Sequence, residues 1–192
     1  MKICVFGSAS DDIAASYLNA GEMLGEILGK RGHSLVFGAG NAGMMGAAAR
    51  GFYKSGAEII GVLPNFFPDG VIYPNCNEII RTETMRERKA IMEDMSDAFV
   101  ITAGGIGTFE EFFEVLTLKQ LGRHGKAIAI LNTNGYFDNL LAMLDTAVSG
   151  EFLTEKGRKL CAEFDSVEKL VDYLETYVPE NMDIFEMRKL GK

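Results

Sequence analysis

Two adjacent carboxylates, Glu110 and Glu111, directly follow a glycine cluster at residues 104–107. An apolar run precedes the cluster and a helix-forming run follows it, which predicts a strand, a tight turn and the start of a helix. Unpaired backbone N–H groups and the helix dipole attract an anion there, and glycines let a phosphate approach closely. Acids also favour a first helical turn through the dipole alone. Two interpretations stay open: a carboxylate that acts on a bound phosphate compound, or one that stabilises the helix.

The elements around this turn predict an α/β protein. Strands at residues 2–6, 33–37, 58–63, 78–81 and 127–131, together with the apolar run before the glycine cluster, alternate with helices at 12–30, 44–55, 84–95, 108–121, 136–148 and 166–177. This alternation predicts a Rossmann-like, doubly wound parallel sheet with helices on both faces. The turns after the strands then share the carboxyl edge of the sheet, where such folds bind ligands. We predict a single nucleotide-binding domain over residues 1–178 and a peripheral C-terminal tail at 179–192.

Composition and charge narrow the class of protein. The 192 residues include 19 Lys and Arg against 27 Asp and Glu, and the resulting net charge of −8 argues against a nucleic-acid or membrane surface. No apolar run is long enough to span a bilayer. The three cysteines lie far apart without metal-ligand spacing, and the chain has only two histidines. We therefore predict a cytoplasmic, reduced protein that needs no metal and no cofactor.

A second glycine-rich turn, residues 38–43, matches the pattern G-x-G-x-x-G after a predicted strand. A dinucleotide site would also need an acid at the end of the next strand to bind a ribose, but Glu58 begins that strand. The turn therefore favours a mononucleotide phosphate, or simple close packing of a helix on a strand. Ser8, after the first strand, either joins the same ligand site or acts as a turn or N-cap residue.

Two motifs carry a resemblance to a known family. Residues 103–111 (Ala-Gly-Gly-Ile-Gly-Thr-Phe-Glu-Glu) correspond to P-G-G-x-G-T-x-x-E, and residues 85–89 (Met-Arg-Glu-Arg-Lys) correspond to M-H-x-R-K. With these motifs the chain resembles the LOG ("lonely guy") family of cytokinin riboside 5′-monophosphate phosphoribohydrolases, whose members are often mislabelled lysine decarboxylase-like. Two residues depart from the family pattern, because Ala103 replaces a proline and Arg86 replaces a histidine.

The resemblance implies a reaction and the residues that carry it out. The reaction is hydrolysis of the N-glycosidic bond of a nucleoside 5′-monophosphate to the free base and ribose 5-phosphate, with Glu111 and Arg88 as the catalytic residues. Such a bond breaks through a state with positive charge on the sugar, which a nearby carboxylate stabilises while it orients or deprotonates water. The implied substrate-binding residues are Ser8, Gly43, Met85, Lys89, Gly104, Gly105, Gly107, Thr108, Glu110 and Thr117. The resemblance also implies a homodimer.

Several of these residues have specific expected roles. Arg88 would stabilise the departing base or the charge of the nucleotide, and Glu110 would accept a hydrogen bond from a ribose hydroxyl. Thr117, two helical turns after Glu110, either lines the same pocket or is a buried helix hydroxyl. An apolar slot for the base could be formed by Met44, Met45, Phe66 or Phe67, although these residues suit a protein core equally well.

Two other functions compete with hydrolysis. A nucleotide-binding carrier or sensor without catalysis is favoured by the departures at Ala103 and Arg86. Lysine decarboxylation is disfavoured, because that chemistry normally needs pyridoxal phosphate on a lysine in a much larger chain.

Overall fold

The structure is a computed structural model that describes residues 1–179. Its centre is a sheet of seven strands: β1 (Lys2–Phe6), β2 (Ser34–Phe37), β3 (Ile59–Pro64), β4 (Glu78–Thr82), β5 (Ala98–Ile101), β6 (Ala127–Leu131) and β7 (Ala162–Phe164). The strands lie in the order β4-β3-β2-β1-β5-β6-β7, and every neighbouring pair is parallel. The predicted Rossmann-like parallel sheet is confirmed.

Helices cover both faces of this sheet. The described chain contains α1 (Ala15–Lys30), α2 (Gly43–Lys54), α3 (Met85–Met95), α4 (Ile106–Gln120), α5 (Asp138–Ser149), α6 (Glu155–Arg158) and α7 (Val167–Thr176), with 3₁₀ turns at Asp69–Val71 and Thr133–Gly135. On one face, Leu24 of α1, Phe52 of α2 and Leu170 of α7 are fully buried in a common core. On the other face, Met92 of α3 and Phe112 of α4 belong to a second core. The sheet is therefore doubly wound, as the alternating sequence pattern predicts.

Three elements differ from the sequence prediction: the start of α1, the short helix α6, which was not predicted, and the strand β7. The helix predicted from residue 12 begins at Ala15, because side chains hold the preceding loop in another conformation. Ser10 Oγ accepts a hydrogen bond from Asp12 N at 3.2 Å, and Asp11 Oδ1 accepts one from Gly43 N at 2.7 Å. The short strand β7 was not predicted, since its three residues, Ala-Glu-Phe, are too few to give an apolar pattern.

Helices α1 and α2 approach each other at the level of their backbones. A Cβ atom on Gly25 of α1 would lie 2.1 Å from the carbonyl oxygen of Ala48 in α2. A Cβ atom on Gly51 of α2 would lie 2.1 Å from the carbonyl oxygen of Glu22 in α1. Both distances are far below van der Waals contact, so this helix pair can form only where each helix carries glycine.

The order of the strands reverses between β1 and β5, and the chain leaves both strands at the same edge. Backbone hydrogen bonds join the two exits: Thr102 N donates to Phe6 O at 2.8 Å, and Ser8 N donates to Ala103 O at 3.0 Å. Ligands of open α/β sheets bind in the crevice at such a reversal. The glycine turn at residues 104–107 begins directly beside it.

The predicted tail falls largely outside the part of the chain that the structure describes. Residues 180–192 lie beyond it, so the boundary at residues 178 and 179 stays a prediction. Among residues 1–179, no helix combines the length and the apolar character needed to cross a bilayer.

Candidate active site

A cavity of about 660 Å³ opens at the carboxyl edge of the sheet. Its lining residues are Gly7, Ser8, Ala9 and Ser10 after β1; Gly38, Gly40, Asn41, Ala42 and Met45 after β2; Leu63, Phe67 and Val71 in and after β3; Met85 and Arg88 of α3; and Gly105, Gly107, Thr108 and Glu111 at the start of α4. The volume is in the range typical of small-molecule sites. The cavity spans both glycine turns.

A buried ion pair lies in this cavity. Arg88 Nη1 donates to Glu111 Oε1 at 2.8 Å, and the two residues are only 7% and 9% exposed. Arg88 Nε also donates to the carbonyl oxygen of Val62 in β3 at 3.1 Å, which fixes the guanidinium between α4 and β3. The predicted catalytic residues are therefore in direct contact with each other.

The first glycine of the second turn makes room for this pair. A Cβ atom on Gly38 would lie 2.1 Å from Arg88 Nη2. The sequence left a phosphate site and close packing as alternatives for the turn at residues 38–43. The geometry supports packing for Gly38, but the packed group is the buried guanidinium of Arg88.

Burial alters the acid–base properties of Glu111. Loss of hydration raises the pKa of the Glu111 carboxyl above its ordinary value, and the charge and hydrogen bond of Arg88 oppose this shift. A carboxylate of raised pKa is a stronger base than an exposed one, and the hydrogen bond from Arg88 fixes its orientation. The pair can therefore orient or deprotonate a water molecule and stabilise positive charge on a bound sugar.

The start of α4 presents unpaired N–H groups to the cavity. Gly105 is the N-cap residue, and no side chain caps it among residues 1–179. A Cβ atom on Gly105 or Gly107 would meet no described atom within 4 Å, and neither residue has a positive φ. The described fold therefore does not require glycine at these two positions, whereas a phosphate that must approach the backbone does.

The turn before α4 is held in place without the proline of the family pattern. Ala103 O accepts from Ser8 N, and Gly104 O accepts from the Tyr136 hydroxyl. Gly104 itself is required by packing, because a Cβ atom there would lie 2.1 Å from Thr108 Oγ1. These contacts fix the turn even though alanine lacks the restricted φ of proline.

Five predicted binding residues are absent from the cavity lining of this chain: Gly43, Lys89, Gly104, Glu110 and Thr117. Lys89 follows Arg88 on α3 and so points about 100° away from it, where it forms ion pairs with Glu110 and Glu114. The side chain of Thr117 is exposed. The N–H of Gly43 is already bonded to Asp11. None of these five residues lines the cavity, and their roles in binding stay predictions.

The part of the cavity next to β3 contains residues that the sequence did not single out. Of the four candidates for an apolar slot, Met45 and Phe67 line the cavity, whereas Met44 is fully buried and Phe66 is 64% exposed outside it. Val71 was not predicted, although it belongs to a long segment between β3 and β4 of the kind that often carries function.

The chain is similar to known proteins over most of its length. Residues 45–174 match the model of a protein family described as "Possible lysine decarboxylase". The cytokinin riboside 5′-monophosphate phosphoribohydrolase LOG of Oryza sativa subsp. japonica is 39% identical over 180 residues, which cover 93% of this chain and 74% of that protein. The enzyme of the same name from Arabidopsis thaliana, LOG2, is 36% identical over 183 residues, or 95% of this chain and 86% of that protein.

Solved structures share the fold at lower identity. The molybdenum cofactor binding protein of Rippkaea orientalis superimposes with a TM-score of 0.72 at 22% identity, covering 91% of this chain and 95% of that one. The Moco carrier protein of Chlamydomonas reinhardtii gives a TM-score of 0.69 at 25% identity, covering 91% and 94%. These likenesses agree with the seven-stranded Rossmann-like sheet.

Proposed function

Because this chain belongs to the LOG family of phosphoribohydrolases, we propose that it hydrolyses the N-glycosidic bond of a nucleoside 5′-monophosphate. The products are the free base and ribose 5-phosphate. One observation carries the proposal most directly: the buried pair of Arg88 and Glu111 lies in the same cavity as the uncapped start of α4. A carboxylate beside an anion site is the arrangement that this reaction needs.

The proposed mechanism assigns one task to each part of the cavity. The phosphate binds at the N–H groups of the α4 start, where the helix dipole favours negative charge. Glu111 then stabilises the positive charge that develops on the sugar as the C1′–N bond breaks. Glu111 also accepts a proton from the water whose oxygen attacks C1′. Arg88 stabilises the negative charge on the departing base, which finally takes up a proton.

The proposed substrate has a purine base that carries an apolar substituent. Leu63, Phe67 and Val71 form the side of the cavity next to β3 and the segment that follows it. The names of the relatives refer to cytokinin ribosides, and their bases are adenines substituted on the exocyclic nitrogen. An apolar wall suits such a substituent.

We expect purified protein to release base from 5′-monophosphates and not from the corresponding nucleosides. The test panel contains AMP, the other common nucleotides and isopentenyl-adenosine monophosphate, each beside its dephosphorylated form. The phosphate requirement follows from the N–H groups at the start of α4, since a nucleoside offers them no anion. Base release is measured by chromatography, with a parallel reaction in excess EDTA expected to proceed at the same rate. Tight nucleotide binding without release from any compound would instead support a carrier or sensor.

A homodimer is part of the proposal. Ile106 and Phe152 are 88% and 90% exposed, and burial of such apolar side chains against a second copy would stabilise a dimer. Sedimentation equilibrium is expected to give twice the 21.0-kDa chain mass. A monomeric mass at concentrations where the protein is active would contradict the dimer.

The proposed compartment is the cytoplasm, and the proposed ligands exclude nucleic acids. Cys4, Cys76 and Cys161 are unpaired, which suits a reducing compartment. The net charge of −8 opposes binding to a nucleic-acid backbone.

A further inference from the structure

Two neighbouring phenylalanines have different surroundings. The side chain of Phe67 lines the cavity and is 40% exposed, whereas that of Phe66 is 64% exposed and lies outside the lining. Their ring centroids are 4.8 Å apart. Of these two adjacent and chemically identical residues, Phe67 lines the cavity and Phe66 does not.

The cavity has a defined order from one end to the other. The uncapped start of α4 follows β5, and Phe67 follows β3, with β2 and β1 between those strands. Three strand spacings of about 4.8 Å separate the two ends by roughly 14 Å. Arg88 spans part of this distance, because it contacts Glu111 on one side and the carbonyl oxygen of Val62 on the other. A nucleotide with its phosphate at α4 and its C1′ atom near Glu111 has room to place its base toward Phe67.

The wall at that end is mostly apolar, with the side chains of Met45, Leu63, Phe67, Val71 and Met85. The polar side chain beside them is that of Asn41, which lines the cavity and whose Nδ2 donates to Gly70 O at 3.3 Å. Phe67, Val71 and Met85 are each 39–40% exposed, so apolar surface faces an open cavity instead of the core. An apolar substituent placed against it gains stability by burying that surface.

The segment that carries Phe67 and Val71, hereafter the 65–73 loop, is held by backbone hydrogen bonds at both ends. Asn65 N donates to Thr82 O at 2.8 Å, and Tyr73 N donates to Ala39 O at 2.8 Å. Near the middle, Asn41 N donates to Val71 O at 2.9 Å. The loop is therefore attached to β4 on one side and to the glycine turn after β2 on the other.

A side chain of β4 also fixes the position of Phe67. Arg81 Nη1 donates to the carbonyl oxygen of Phe67 at 3.2 Å, and Arg81 forms an ion pair with Asp69. Because these contacts join the loop to β4, binding of a substrate against the wall requires little ordering of the loop.

We propose that the 65–73 loop determines which base is removed, with Phe67 as the specificity-determining residue that selects an apolar substituent on the exocyclic nitrogen over unsubstituted adenine. The inference rests on the proposed function and goes beyond it, since it assigns the choice of base to one side chain. Arg81 is a positioning residue, because it acts through the backbone of Phe67.

The test compares kcat/KM for isopentenyl-adenosine monophosphate and for AMP. We expect Phe67→Ala to lower the ratio of these two values roughly tenfold, because loss of a hydrophobic contact to one substrate discriminates by about that much. Phe66→Ala is the matched control, and we expect the ratio to stay within about twofold of wild type. A fold defect would lower both values of kcat/KM together and leave the ratio unchanged.

The outcomes separate this inference from the proposed function. An unchanged ratio in Phe67→Ala, or an equal change in Phe66→Ala, would overturn the inference while base release by the wild type still supports hydrolysis. Absence of base release by the wild type would overturn the hydrolase. Calorimetric Kd values for the same two nucleotides then test the inference without catalysis. A Kd ratio that changes only in Phe67→Ala supports selection by the loop, and any other result, including no binding, overturns it.

Discussion

Glu111→Gln is expected to lower kcat for base release by about 10³-fold while the Kd for the nucleotide changes little. The amide oxygen of glutamine can still accept the hydrogen bond that Arg88 now donates to Glu111 Oε1, so the cavity keeps its shape. An amide can neither take a proton from water nor stabilise positive charge on the sugar as a carboxylate does, and general-base catalysis alone contributes about 10² to 10⁴. Single-turnover base release and calorimetric nucleotide binding measure the two effects separately.

Glu114→Gln is the matched control for this substitution. Glu114 lies on the same helix, but its ion pair is with Lys89 and it does not line the cavity. Wild-type kcat/KM should also fall as the pH drops through the pKa of Glu111, which burial raises, because only the ionised carboxylate acts as a base. The acid limb is therefore expected above the pH at which an exposed glutamate would titrate. A Glu111→Gln enzyme with the wild-type rate, or with the same acid limb, would refute the assignment.

Gly25→Ala is expected to destabilise the protein by about 3 kcal/mol, since inserting a methyl group into a tightly packed contact costs up to roughly that amount. The new Cβ atom would lie 2.1 Å from the Ala48 carbonyl oxygen, so α1 and α2 would have to separate. The free energy of unfolding is measured by urea titration with circular dichroism.

Gly107→Ala is also a glycine-to-alanine change in a helix, but it is expected to keep or raise the free energy of unfolding instead of lowering it. A Cβ atom on Gly107 meets no described atom within 4 Å, and alanine is favoured over glycine in a helix by up to about 1 kcal/mol. The variant should therefore unfold at the same or a higher urea concentration than the wild type, but with a raised KM for the monophosphate. Equal losses of stability in the two variants would show that the glycines do not have different roles.

The fold could be predicted because the sequence patterns that determine it are local. Each apolar run is followed by a turn and a helix pattern, and that alternation alone determines a parallel sheet. The start of α1 could not be predicted in this way, because it depends on the hydrogen bond from Gly43 N to Asp11, two residues 32 positions apart. Local propensity contains no information about such a contact.

The site could be predicted only in part, because membership of a motif does not determine which way a side chain points. Arg88 and Lys89 are adjacent in one motif, yet one is buried in the cavity and the other pairs with acids outside it. Likewise, Phe67 lines the cavity and the adjacent Phe66 does not. The hydrogen bond by which Tyr136 supports the turn before α4 could not be predicted from the sequence either, because 32 residues separate Tyr136 from Gly104.

The two groups of glycines are subject to different evolutionary pressures. Glycine at positions 25 and 51 is needed for as long as the protein folds, because backbone of the facing helix occupies the space of a side chain. In the proposed mechanism, glycine at positions 105 and 107 is needed only for as long as a phosphate must approach the backbone there. In a lineage that abandoned nucleotide chemistry, the second pair would be free to drift to larger residues while the first pair persisted. Among descendant sequences, substitution of Gly105 and Gly107 with Gly25 and Gly51 retained would therefore indicate that the function changed while the fold was kept.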